Sequence, residues 1–335
     1  MPTGLRACAG PLLAQVLGPD LSFTLSDGAE TTVRKLSSKG LAERLLLLSG
    51  AARVARALRA PRLHILTYHN VVPDNSAQIG DSSLHLPVAQ FESHLDAITE
   101  VAEVVSLGQL VTGGDRQTDG PRVAITFDDA YHGAMTFGVA ASIRRGVPVT
   151  IFVSPGLLGD GSFWWDSLAG ASGLTSEIRT HALAQLCGDV QSIRQWAVQH
   201  GLPTTHFHPA ARPADEDTLR HVAHERLITL ASHGWRHRNL NRVDDQVLED
   251  ELRLPLDWLR SRFPNAMPWV AYPYGLYSPR VTAAALRVGY AAGFGLTGVG
   301  QVQPIEWPIA INRYNIPAGL SASGLRLRLA GVLKW

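Results

Sequence analysis

Arg122-Val123-Ala124-Ile125-Thr126-Phe127-Asp128-Asp129 carries a mostly apolar, β-branched segment directly into two carboxylates. The unbroken apolar run predicts a strand covered on both faces, as in a parallel sheet, and it delivers Asp128 and Asp129 at its C-terminal end. Further on, Ser232-His233-Gly234-Trp235-Arg236-His237 places two imidazoles four residues apart. On a helix or helical turn that spacing puts both rings on one face. Two histidines and one carboxylate can bind a divalent metal and leave coordination positions free for water. That composition suits a hydrolytic centre better than a closed structural site. The second carboxylate is then a spare base.

Working outward, apolar strand candidates recur at Leu63 to His69, Val104 to Leu107, Val149 to Val153, Leu227 to Leu230, Trp269 to Tyr272, Ala291 to Leu296 and Ile309 to Arg313. Helical spacing appears between them at Val88 to Ala102, Ala134 to Arg145, Val247 to Phe263 and Val281 to Gly289. Alternating strands and helices predict a parallel α/β sheet, with functional residues just after the strands. The organisation expected is an N-terminal, partly helical extension over 1–60, a catalytic domain over 61–320 with an insertion at about 159–224, and a tail over 321–335.

The chain has 335 residues, 45% hydrophobic and 18% charged, with a formal net charge of +1. Nothing in that balance suggests a nucleic-acid partner. Cys8 and Cys187 are its only cysteines, too few for a thiolate cluster or a disulfide framework. Pro11 to Leu17 is short for an export signal and has no clear cleavage motif, so the expected location is cytoplasmic or at the inner membrane face. Leu41 to Arg59, with Arg44, Arg53, Arg56 and Arg59, reads as a basic amphipathic helix. It either packs on the domain with its arginines in water or makes a peripheral contact with an anionic membrane surface.

Taken together, these residues resemble the polysaccharide deacetylase family, the NodB-homology domains related to carbohydrate esterase family 4. Thr126-Phe127-Asp128-Asp129 looks like that family's first motif, with Ala130 where a glycine is usual. His233 through His237 looks like its His-x-x-x-His motif, and Ala271-Tyr272-Pro273-Tyr274-Gly275 like its third. Leu66-Thr67-Tyr68-His69 and Phe163-Trp164-Trp165-Asp166 are similar to the branch found beside exopolysaccharide and glycan-assembly enzymes. The resemblance implies a distorted (β/α)7 barrel, resembling a TIM barrel, and metal-dependent removal of N-acetyl groups from an N-acetylated glycan.

On this reading Asp129, His233 and His237 hold one divalent ion. Zinc suits the donor set best, and cobalt, nickel or iron also fit. Adjacent side chains diverge, so Asp128 is left as the base that takes a proton from water. By resemblance, the backbone N–H of Tyr274, presented by Pro273, serves the oxyanion. The family's usual C-terminal histidine and its arginine before Pro-Tyr are both missing. His69 is the candidate proton donor to the leaving amine, with Asp128 itself as the alternative, and Arg313 is the candidate partner orienting Asp128. Trp235 and Tyr274 are expected to face the sugar; Trp164 and Trp165 are left between site and core. His206, His208, His221 and His224 read as a solvated stretch rather than a second metal centre. An O-acetyl esterase and a catalytically silent glycan-binding barrel are the rival functions.

Overall fold

The computed structural model describes residues 38–50, 63–76, 80–112, 120–170, 173–202, 208–296 and 308–335. Its strands are β1 (Leu63–Tyr68), β2 (Asn70–Val72), β3 (His85–Pro87), β4 (Glu103–Val104), β5 (Arg122–Phe127), β6 (Val149–Val153), β7 (Ile228–Ser232), β8 (Ala266–Ala271), β9 (Ala292–Gly295), β10 (Ile311–Asn312) and β11 (Tyr314–Asn315). The main sheet runs β10-β9-β8-β7-β6-β5-β1-β11, with every pairing parallel; β4 pairs with the first two residues of β5, ahead of the pairing between β5 and β6. β10 pairs with β9 while β11 pairs with β1, so the segment 311–315 crosses from one edge of the sheet to the other. The Arg313 N–H donates to the Gly295 carbonyl at 3.1 Å and the Ile316 N–H to the Thr67 carbonyl at 2.9 Å. Counted this way, β1, β5, β6, β7, β8, β9 and the split last strand make seven staves of a nearly closed barrel. That is the distorted (β/α)7 architecture expected from the sequence.

Period-two alternation divides each stave. Leu63 and Ile65, Ala124, Phe152, Ala231, Trp269 and Ala271, Ala292 and Phe294, and Ile311 form one apolar cluster. These are alternate residues on their strands, and together they fill the barrel. Val105, Leu107 and Leu110 join them where the strands begin and cover that end. Leu66, Tyr68, Val123, Ile125, Phe127, Val149, Ile151 and Val153 face outward into the larger cluster beneath the helices. At the upper end the interior turns polar: Thr126 donates its hydroxyl to Thr67 Oγ1 at 3.3 Å, and the next inward positions are Asp128, His233 and Arg313.

Several expected elements take a different form. Val104 to Leu107 is not a strand beyond Val104. Ser106 caps the helix Leu107–Val111 instead, through a box in which the Ser106 hydroxyl accepts from the Gln109 N–H and the Gln109 side chain accepts from the Ser106 N–H. Ala134 to Arg145 opens with a π-helical turn, Ala134–Gly138, before the α-helix Val139–Arg144. The insertion after β6 is mostly helical, at Trp164–Ser167, Ser176–Ala184, Val190–Gln199 and Glu216–Ala223. Residues 321–335 are not a loose tail. Ser321 caps the helix Ala322–Leu329, which buries Gly324, Leu325, Leu327 and Leu329 and packs on the helix Val88–Val101, while the Trp335 ring stacks on Tyr314 at 4.0 Å.

The N-terminal helix, Ser38–Leu48, lies on this C-terminal helix, with Glu43 buried and accepting the Ser321 hydroxyl at 2.5 Å. It leaves Leu41, Leu45, Leu46 and Leu48 exposed. Arg53, Arg56 and Arg59 lie outside the described residues, as does His206. Among the described residues no helix is long and apolar enough to cross a membrane.

Close approach at the barrel wall gives one test. A Cβ at Gly293 in β9 would collide with the Tyr272 hydroxyl and the Ile309 carbonyl, which are hydrogen-bonded to each other at 2.8 Å. Gly293→Ala is predicted to destabilise the fold by about 1–3 kcal/mol in denaturant unfolding, the usual range for overpacking; an unchanged midpoint would contradict that.

Candidate active site and metal centre

Asp128 and Asp129 follow the end of β5, where the chain turns sharply, and both carboxylates face one cavity. Asp129 (φ 69°) and Ala130 (φ 56°) both adopt the left-handed conformation. That conformation strains any residue with a Cβ, and it accounts physically for a glycine being usual at position 130. His237 (φ 58°) and Tyr274 (φ 60°) share it, so four of the six such non-glycine residues among those described belong to one site. Clustered strain of this kind is typical of functional sites.

Asp128 is 1% exposed. Its N–H donates to the Tyr68 carbonyl at 3.0 Å, and its carboxylate receives both ends of the Arg313 guanidinium, at 2.7 and 2.8 Å. Arg313 is fully buried, also donates to Thr126 Oγ1 at 3.2 Å, and lies over the Phe152 ring at 4.9 Å. Burial works against the charge on Asp128, but the Arg313 guanidinium, with His233 beside it, holds the carboxyl below its ordinary value. Arg313 thus occupies the place for which the sequence offered it.

His233 and His237 are not on a helix. Their loop leaves β7 and turns at Gly234 (φ 77°) and at His237 itself. The His233 N–H donates to the Val153 carbonyl at 2.7 Å, and its Nδ1 sits 2.8 Å from the Ala271 carbonyl. A carbonyl only accepts, so Nδ1 carries the proton and Nε2 offers a lone pair to the cavity. His237 Nε2 lies 3.1 Å from His233 Nε2, and Asp129 Oδ1 lies 3.4 and 3.2 Å from the two. A tetrahedral ion with bonds of about 2.0–2.2 Å separates its donors by about 3.3–3.6 Å, so the three atoms lie within about 0.2 Å of the spacing of one face of such a polyhedron. Asp129 Oδ1 is buried without a hydrogen-bond partner among the described residues. Burial opposes its charge, yet the His237 and His233 imidazoles hold the carboxyl well below the ordinary carboxylate range. The donor set fits a divalent cation, and it is the one such grouping among the described residues. A three-ligand set leaves positions for water or substrate. His208, His221 and His224 are exposed and lie outside it.

The metal-ligand candidates, Asp128, His69 and Tyr274 line one cavity of about 130 Å³, together with Trp164 and Trp165. Burial lowers the His69 imidazole from its ordinary value, against the opposing pull of Asp129 and Asp128. Pro273 starts a short 3-10 turn in which Gly275 donates to the Tyr272 carbonyl and Leu276 to that of Pro273. Tyr274 turns its ring to within 4.4 Å of His237, and its hydroxyl accepts the Trp164 indole N–H at 3.0 Å. Trp235 is the residue placed wrongly by the sequence reading. The turn at Gly234 sends it behind the loop, where its N–H donates to Glu251 and its carbonyl accepts from Gly156, and it does not line the cavity.

Glu251 was missed. From the helix Asp245–Arg262 it accepts the N–H groups of Trp235 and Arg236 at 3.0 Å, and it is 4% exposed. Burial pushes its carboxyl up while these donors pull it back. The signal was available: Glu251 is an acid on the buried face of the helix, beside Leu248, Leu252, Leu256 and Leu259.

The polysaccharide deacetylase family model matches residues 115–293, and the chain belongs to that family. IcaB from Ammonifex degensii is similar in fold at 16% identity, over 81% of this chain and 98% of its own, with a TM-score of 0.55. A de-N-acetylase from Aggregatibacter actinomycetemcomitans is similar at 15% identity, over 79% and 98%, with a TM-score of 0.54. BC0361, a polysaccharide deacetylase from Bacillus cereus, is similar at 13% identity, over 80% and 69%, with a TM-score of 0.53. No curated protein sequence matched.

Equilibrium dialysis with metal analysis tests the centre. One divalent ion per chain is expected, lost in His237→Ala and retained in Asp128→Asn. Glu251→Ala, which frees the loop behind the ligands, is expected to weaken binding by about 10–100-fold, as loss of an outer-shell support typically does. Tight binding by His237→Ala would rule out this ligand set.

Proposed function

We propose that this chain removes acetyl groups from N-acetylhexosamine residues of a polysaccharide or lipid-linked glycan. The observation that carries the reading is the pairing of a three-donor cluster with a second carboxylate that is gripped by Arg313 and faces the same cavity. Family membership supports it, and so does similarity in fold to a protein described as a de-N-acetylase. A divalent ion held by Asp129, His233 and His237, zinc by preference, would supply Lewis acidity toward the acetyl carbonyl and toward water.

The chain's own groups do the rest. Asp128 accepts the proton of the attacking water at a carboxylate oxygen. Arg313 fixes the plane of that carboxylate and keeps it charged, so it cannot rotate out of reach. By resemblance to the family, the N–H of Tyr274, a residue that lines the cavity, stabilises the oxyanion. The proton that Asp128 takes from water moves on as the C–N bond breaks. His69, which lines the same cavity, relays it to the departing amine nitrogen, and because burial disfavours its charged form it does not retain it.

Acetate release from N-acetylglucosamine oligomers and from O-acetylated xylan, with zinc or cobalt restored to metal-stripped protein, is the direct test. Metal-dependent acetate from the amide substrate is expected, with kcat reduced about 10²–10⁴-fold in Asp128→Asn and metal content unchanged. Acetate from xylan alone would make the chain an esterase. No acetate from either substrate, with glycan affinity retained in Asp128→Asn, would make it a binding barrel.

A further inference from the structure

Phe163-Trp164-Trp165-Asp166 has no part in the chemistry above, yet its last residue is among the most connected in the molecule. Asp166 is fully buried. Its Oδ2 accepts the Tyr131 hydroxyl at 2.7 Å, and its Oδ1 accepts the Asp81 N–H at 2.9 Å and lies 3.0 Å from His85 Nε2. Asn70 determines which imidazole nitrogen carries the proton. Its Oδ1 accepts the Val71 N–H, so its Nδ2 is the amide donor, and that nitrogen lies 2.9 Å from His85 Nδ1 and 3.0 Å from the Ala210 carbonyl. His85 Nδ1 therefore accepts, and Nε2–H donates to Asp166.

One carboxylate thus ties the inserted segment to the loop after β3's neighbour strand, at Asp81, to β3 at His85, and to the turn after the Asp128-Asp129 pair, at Tyr131. The approach is so close that a Cβ at Gly80 would overlap the Asp166 side chain. Tyr131 passes the constraint on: its oxygen accepts the Trp165 indole N–H at 2.7 Å. Trp165 stacks on Phe163 at 4.7 Å, lies 4.9 Å from the His237 ring and lines the cavity, whose rim also includes Asp81 and Ser83. Asp166 itself does not reach the cavity.

The geometry points to Asp166 as a positioning residue that, through Tyr131 and the Asp81 N–H, holds Trp165 and the Asp81–Ser83 rim as the wall against which the sugar binds. The inference rests on the deacetylase reading for its ligand, but its mechanical part does not. Asp166 acts on substrate binding and leaves the metal ligands and Asp128 in place.

Tyr131→Phe removes one oxygen from the relay and Asp166→Asn removes its charge; Tyr131→Phe decides the matter if Asp166→Asn does not fold. In each variant KM for an N-acetylglucosamine oligomer is expected to rise about tenfold, the size of one or two lost charge-assisted hydrogen bonds, with kcat within about threefold and bound metal unchanged. In ¹⁵N-labelled protein, the Trp165 indole N–H resonance is expected to move upfield in Tyr131→Phe, because it loses its acceptor. A fall in kcat at constant KM, or an unmoved Trp165 resonance, would overturn the assignment. If the wild-type chain releases no acetate from the oligomer, the deacetylase reading fails, while the indole resonance still judges the relay.

Discussion

The buried pair between Arg313 and Asp128 is the constraint on which the upper half of the barrel depends. A carboxylate that is 1% exposed at the end of a central strand would be intolerable without a countercharge, and the guanidinium meets it with two parallel hydrogen bonds. Arg313 is itself 0% exposed, seated over Phe152 and close to Phe294 on two further staves. It sits at the point where the last stave passes from β9 to β1. Closure of the barrel and charge balance at the site are therefore one structural event. With Asp128 held by the guanidinium, Asp129 is the carboxylate that approaches both imidazoles, at 3.4 and 3.2 Å.

Support for the site comes in layers that do not overlap. Glu251 stands behind the histidine loop and satisfies the N–H groups exposed by its turn. Ala271 orients the first imidazole through its carbonyl. Asp166 lies on the opposite side, beneath the aromatic wall. Each is a buried acceptor serving N–H or O–H groups, which keeps the histidine loop and the aromatic wall in place without adding bulk to the cavity.

Much of this was legible in the chain. The β-branched segment ending in Asp128-Asp129 is a central stave; the alternation of strands and helices predicts the parallel sheet, and its near-closure into a barrel is implied by the family resemblance. The histidine spacing brought two rings together for a different reason from the helical one. Gly234 and a left-handed His237 fold the loop so that both Nε2 atoms converge, and the same turn carries Trp235 away from the cavity. Side-chain direction in a loop depends on φ, which the sequence pattern does not carry. Ser106 and Gln109 form a capping box that could have been recognised beforehand, and it stops a strand that hydropathy alone extends. Glu251 could be suspected as an acid on an apolar helix face, but its partners and those of Asp166 lie 15 and 35 residues or more away in sequence, so only the folded chain shows what each one holds.

The split last stave also governs the order in which the molecule becomes competent. Arg313 is synthesised 185 residues after the carboxylate it neutralises. A nascent chain halted before residue 311 holds Asp128, Asp129, His233 and His237 but has neither the stave that joins β9 to β1 nor the charge that makes burial of Asp128 tolerable. Contacts this distant in sequence form late and slowly. Burial of Asp128 against its countercharge is thus withheld from partial chains by topology alone.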